Sequence, residues 1–148
     1  MIDIIVEKGG KGFQRSAEGI AAHTRLGLER AWWLSAKDIQ GTFDKQVLDR
    51  KSKTGRIYFR RIKGGRKRRH QASAPGQSPA NRTGFYRKSF DFTVRGAQEL
   101  AVGVTAPYGE WLETGTKRMR ARPGLKNAVN ASERDIIRNL ATEIENFI

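Results

Sequence analysis

The chain contains no cysteine, which removes disulfide frameworks, zinc ribbons and thiol nucleophiles together. Histidine is nearly absent as well. His23 and His70 are the only two, and His23 has no Asp, Glu or His three or four residues on to share a metal with it. No run approaches the roughly 18 consecutive apolar residues that a membrane span needs. The opening Met1–Glu7 stretch lacks both a basic flank and a long apolar core, so export by an ordinary signal is not expected. Carboxylates are scarce beside cations: 15 Asp plus Glu face 29 Lys plus Arg, a formal +14 with a pI near 10.8. Such a surplus calls for acidic partners, and phosphates or carboxylate-rich protein surfaces satisfy it equally.

What remains is enough to fold. Apolar residues make up 37% of the 148 and glycine adds 16 more, close to the ordinary range for a globular chain. A chain of this length fits a single domain, residues 1–148, burying roughly 70% of its unfolded surface. Ile2–Val6 reads as a short strand, followed by a hinge at Gly9, Gly10 and Gly12. From about Arg15 to Asp49 the pattern is helical, with Ala17, Ala21, Thr24, Leu28, Ala31, Trp32, Ser35, Ile39, Thr42 and Phe43 on one face. Trp33 falls on the opposite, charged side beside Arg30 and Lys37. Two readings stay open for it: a contact with another molecule, or cover by a second element of the same chain.

Residues 55–73 read as a basic two-stranded ribbon turning at Gly64 and Gly65. Arg60, Arg61, Lys63, Arg66, Lys67, Arg68 and Arg69 crowd it, with Tyr58 and Phe59 interleaved. Residues 74–84, dense in Pro, Gly, Ser and Asn, read as an extended loop. Phe90, Phe92 and Val94 alternate with polar residues. So do Leu100, Val102, Val104 and Ala106 beyond Gly96, which predicts an antiparallel hairpin. Pro107–Glu113 reads as one or two helical turns closed by Gly115. From Pro123, Leu125, Val129, Ile136, Leu140, Ile144 and Phe147 recur at helical spacing, with Pro123 near a permitted first-turn position. The expected fold class is α+β, a long N-terminal amphipathic helix and a C-terminal helix on a small, mainly antiparallel sheet, with the basic ribbon attached.

No catalytic constellation accompanies these elements, and no metal or cofactor is expected. Glu110 and Glu113 stand three apart, as paired acid and base carboxylates can, but nothing convergent surrounds them, and a solvated or inter-subunit pair is the expectation. Three readings stay open for the basic run: a solvated loop, a dock for acidic proteins, and a nucleic-acid contact through a ribbon with aromatic platforms.

Two segments bring a family into view. Ala74-Pro-Gly-Gln-Ser-Pro-Ala80 leads to Thr83-Gly84-Phe-Tyr-Arg-Lys-Ser89, and Tyr108-Gly-Glu-Trp-Leu-Glu-Thr-Gly-Thr116 leads to Met119-Arg-Ala-Arg-Pro123. Together they resemble the tail-completion, or head-to-tail joining, proteins of long-tailed bacteriophages. The likeness is most specific from Ser73 to about Val129. Thr83, Gly84, Tyr108, Leu112, Glu113, Gly115, Thr116, Ala121, Arg122 and Pro123 occupy the recurrent positions, none of them catalytic in that family. The chain departs from the commoner pattern at Phe85 and Tyr86, where an aliphatic residue is frequent. It departs again at Gly124, where a large apolar residue often follows the proline, and in its basic ribbon.

The resemblance implies a structural virion protein of the neck, made in the host cytoplasm, that forms a ring, commonly a hexamer, completing the tail and joining it to the head. Its implied partners are further copies of itself, adjoining neck, head-completion and tail proteins, and in passing the genomic DNA, with no membrane. The alternative is a nucleic-acid-binding protein using the ribbon. Trp33 is expected at an inter-subunit or inter-ring contact, and Glu113 beside a cation such as Arg122. Six copies at +14 each carry about +84, whereas ~30 Å of threaded duplex carries only roughly 18 phosphates. Arg60, Arg61, Arg66, Lys67, Arg68 and Arg69 are therefore expected to meet mainly acidic surfaces of neighbouring proteins, with at most a minority facing a channel.

Overall fold

The computed structural model describes the backbone of residues 11–146 and the side chains of residues 19–146. Its elements, in chain order, are α1 (Lys11–Leu48), β1 (Ile57–Arg61), β2 (Lys67–Gln71), α2 (Phe85–Lys88), β3 (Phe90–Arg95), β4 (Glu99–Val104), α3 (Gly109–Thr114), α4 (Leu125–Ala131) and α5 (Glu133–Glu145). The architecture is α+β. Its strands form two separate two-stranded antiparallel sheets, β1 with β2 and β3 with β4.

The long helix is the organising element. Ala31, Ser35, Ala36, Ile39, Phe43 and Val47 are buried along one stripe, at the three-to-four-residue spacing that sequence periodicity requires. Against them lie Tyr86, Phe90, Ala106 and Ala128, with Phe92, Leu100, Val102, Leu125, Val129 and Ile136 at the margin. Phe43 makes tilted contacts with Tyr86 and Phe90, ring centroids 5.3 and 5.5 Å apart. Each such fully buried large side chain contributes about 1.5–3 kcal/mol. The helix starts at Lys11, so Gly12 lies inside α1 rather than in a hinge. Glycine weakens a helix interior but does not forbid it. The strand expected over Ile2–Val6, the hinge glycines Gly9 and Gly10, and Phe147 lie outside the described residues.

The β3–β4 hairpin has the expected alternation, with Phe90 opposite Val104 and Phe92 opposite Val102, and Gly96 takes φ +65° in its turn. Trp32 fixes that turn to α1, its indole Nε1 donating to the Ala97 carbonyl at 3.0 Å. The C-terminal helical pattern is interrupted once, at Ser132, which separates α4 from α5. Ser132 is fully buried and its hydroxyl donates to Thr42 Oγ1 at 3.1 Å. Both pieces run antiparallel to α1, as three contacts in order show: Arg30 with Glu143, Asn139 with Asp38, Gln46 with the Asn127 carbonyl.

Candidate functional site

The residues that carried the resemblance converge on one node. Gly84, at φ +83°, opens the short helix α2, and the Phe85 amide donates to Thr83 Oγ1 at 3.4 Å. That turn drives Tyr86 inward, where its ring stacks on Tyr108 at 6.3 Å and its hydroxyl donates to Glu113 Oε1 at 2.8 Å. The same Glu113 oxygen accepts the amides of Gly124 at 2.8 Å and Leu125 at 2.7 Å, and Oε2 accepts that of Lys126 at 3.3 Å. A carboxylate from α3 thus caps the N-terminus of α4, satisfying amides that no residue of α4 reaches, and its charge lies favourably on the helix dipole.

This corrects two expectations. Glu113 forms no ion pair with Arg122; its lone pairs are taken by Tyr86 and the α4 amides, while Arg122 Nε is buried without a hydrogen-bond partner. Nor are Glu110 and Glu113 a matched solvated pair: Glu110 is exposed, whereas Glu113 is half-buried and committed to the cap. Gly115 adopts φ +82° and ψ −177°, a conformation essentially reserved for glycine. A Cβ there would lie 2.8 Å from both the Ala121 nitrogen and the Met119 carbonyl. The turn is closed by Thr116 and Met119 exchanging backbone hydrogen bonds of 2.7 and 3.2 Å, and by the Arg122 amide donating to the Leu112 carbonyl at 2.7 Å. Pro123 stands ahead of the capping Gly124, one step outside the first turn of α4. Burial and the Glu113 carboxylate together raise the Tyr86 hydroxyl well above its ordinary pKa. Glu113, the Tyr86 hydroxyl and the first amides of α4 are all committed to one another, so the node is a structural lock.

The ribbon is present with the expected turn. Gly64 and Gly65 take φ +92° and +75°, and the register sets Tyr58 opposite His70, Phe59 opposite Arg69, Arg60 opposite Arg68 and Arg61 opposite Lys67. Gly55 seats its base: its amide donates to the Ala72 carbonyl at 3.0 Å, and a Cβ would press within 2.6 Å of that oxygen. The loop 74–84 is stapled by Gln77, whose Oε1 accepts the Ala74 and Thr54 amides while Nε2 donates to the Ser52 carbonyl. Lys53, missed by sequence reasoning, is buried beneath it. Its ammonium donates to the carbonyls of Gln46 at 2.9 Å and Ser78 at 2.8 Å, closing the C-terminus of α1. Burial holds its pKa below the ordinary value, against the pull of Asp49.

A second missed feature is the partition of charge. Residues 1–49 hold seven cations and seven carboxylates, and residues 91–148 hold eight of each. Residues 50–90 hold 14 cations and no carboxylate, so the entire net charge sits there. The carboxylate positions carry this signal, which a total charge conceals. Among the described residues only Arg87 of those 14 forms an ion pair, with Asp44 at 3.2 Å. A cleft of about 810 Å³ lies beside the ribbon, lined by Arg50, Lys51 and Arg82 from the body and by Tyr58, Phe59, Arg60, Arg68, Arg69 and His70 from the ribbon. His23 lies exposed on α1, away from this cluster.

Trp33 is 50% exposed on α1 with the Lys37 ammonium 5.1 Å above its ring; no described element covers the rest of it. Phe85 and Tyr108 form a second exposed aromatic pair beside the node, ring centroids 6.2 Å apart, and Trp111 is exposed on α3. Among the described residues no three His, Asp or Glu side chains converge as metal ligands, and no helix is long and apolar enough to cross a membrane. Comparison with family models, curated proteins and solved structures finds no match to the chain.

Proposed function

We propose that the chain is a structural subunit of a homo-oligomeric ring, a hexamer by the resemblance, that completes a phage tail and joins it to the head, and that it is not an enzyme. The observation that carries this reading is the convergence of the resembling residues. Thr83 to Tyr86, Tyr108 to Thr116 and Ala121 to Gly124 interlock through Glu113, as segments must if their recurrence reflects a shared fold and not a reaction. Assembly is supported by surface chemistry: Trp33 and Trp111 present half or more of their area to solvent, and such aromatics contribute strongly when covered at an interface. A ring repeats each heterologous contact until it closes, so modest patches suffice. The ring would sit in the virion neck, beside head-completion and tail proteins.

A functional test follows from the joining role. Phage assembled without this protein should accumulate filled heads and separate tails, and adding the purified protein to that extract should restore joined particles. Normal yields of joined particles in its absence would overturn the reading. The alternative, a nucleic-acid-binding protein, is favoured by one specific observation, the uncompensated charge of residues 50–90.

A further inference from the structure

Outside residues 50–90 cations and carboxylates balance, so a second copy offers no net counter-charge. The ribbon itself is charged on both faces. Residues opposite one another in an antiparallel pair project to the same side and residues alternate along each strand. One face therefore carries Tyr58, Arg60, Arg68 and His70, and the other carries Phe59, Arg61, Lys67 and Arg69. Each face sets like charges directly opposite, Arg60 against Arg68 and Arg61 against Lys67, a destabilising arrangement that needs outside anions. All five β1 residues are exposed. A flat acidic surface neutralises one face only.

We propose that the ribbon inserts into a groove of double-stranded nucleic acid. One phosphodiester strand lies in the cleft bounded by Arg50, Lys51 and Arg82, and the other lies along the opposite face at Arg61 and Lys67. Phosphates flank a duplex groove on both sides, and the major groove, about 12 Å wide, admits a two-stranded ribbon. Five residues per strand give the ribbon a length of about 17 Å. Five of the ten strand residues are Arg or Lys, and their contacts to phosphate position a duplex without carrying sequence information. The channel charge count given above limits how many ribbons engage one duplex at once, not what a single ribbon binds. This inference is independent of the ring reading: a chain that binds duplex but never joins heads to tails sustains it and defeats the other.

The test is fluorescence anisotropy with short labelled duplexes of two unrelated sequences across a salt series. Similar affinities and a log–log salt slope of about −0.9 per phosphate contacted are expected. Arg60→Gln/Arg68→Gln and Arg61→Gln/Lys67→Gln should each reduce the slope by about 1.8. Arg134→Gln/Arg138→Gln on α5, with the same change of charge, should leave it unaltered. Both ribbon variants relieve like-charge opposition, and circular dichroism verifies that they fold. Any of three results overturns the proposal: only one ribbon pair affects the slope, single strands bind tighter than duplex, or polyglutamate displaces the duplex as well as competitor DNA does at equal charge concentration. The last would assign the ribbon to an acidic protein.

Discussion

The Tyr86 hydroxyl occupies the space that a side chain at Gly124 would need: a Cβ on residue 124 would lie 2.7 Å from Tyr86 Oη and 2.9 Å from Pro79 Cδ. At both positions the sequence departs from the pattern it resembles, and here the two touch, so that volume at one limits volume at the other. Gly124→Leu should cost about 1–3 kcal/mol by overpacking. Combined with Tyr86→Leu it should cost less than the two single changes together, with a coupling of about 0.5–3 kcal/mol. Urea denaturation of the four proteins measures this, and strict additivity would show that the positions are independent.

Glu113 is the cap of a helix that supplies none of its own. Glu113→Ala strands the Gly124 and Leu125 amides and the Tyr86 hydroxyl, with an expected loss of about 3 kcal/mol. Glu113→Gln retains an acceptor oxygen and should lose about half as much. Equal losses would mean that charge, and not hydrogen bonding, sustains the cap.

Alkaline pH probes the same hydrogen bond. Burial first, then the bond to Glu113 and its charge, raise Tyr86 above the ordinary 10.0. The folded protein keeps a proton that the unfolded chain releases above about pH 10. The contribution of this group is complete below that pH and falls as pH rises, by about 1.4 kcal/mol per unit. Lys53 acts in the opposite sense, its lowered pKa making folding more favourable as pH climbs toward 10.5. Tyr86→Phe isolates the tyrosine: between about pH 9 and pH 11 the native protein should lose more stability than the variant. Parallel losses would exclude Tyr86 as the titrating group.

Gly115→Ala should destabilise by more than about 1 kcal/mol, because φ +82° and two backbone contacts at 2.8 Å leave an L side chain neither conformation nor room. Gly19→Ala, in an exposed helical turn with nothing near its Cβ, should stabilise by up to about 1 kcal/mol. Thermal melts compare the two, and a neutral Gly115→Ala would contradict the geometry.

Trp33→Ala should leave the thermal midpoint of the monomer almost unchanged while weakening assembly by about 2 kcal/mol or more. Sedimentation over a concentration series separates the effects. A destabilised monomer with unaltered assembly would return Trp33 to the fold of its own chain.

Local pattern made much of the fold legible. The alternation through Phe90–Val104, the helical stripe of Ile39 and Phe43, the glycine turn of the ribbon and the special conformation of Gly115 all follow from residues close in sequence. Three features did not. The helical period runs unbroken across Ser132, whose burial against Thr42 depends on a partner 90 residues away. Glu113 caps a helix 12 residues further on, so the cation Arg122 was a misleading guide. Lys53 resembles its exposed neighbours until α1 and loop 74–84 close over it.

The central claim is a location, and imaging tests it most directly. On the proposed reading, gold-labelled antibody against the protein, applied to intact tailed-phage particles assembled with it, should mark the junction between head and tail and nowhere else. Label on the capsid shell, at the distal tail tip, or absent from particles altogether would contradict the account.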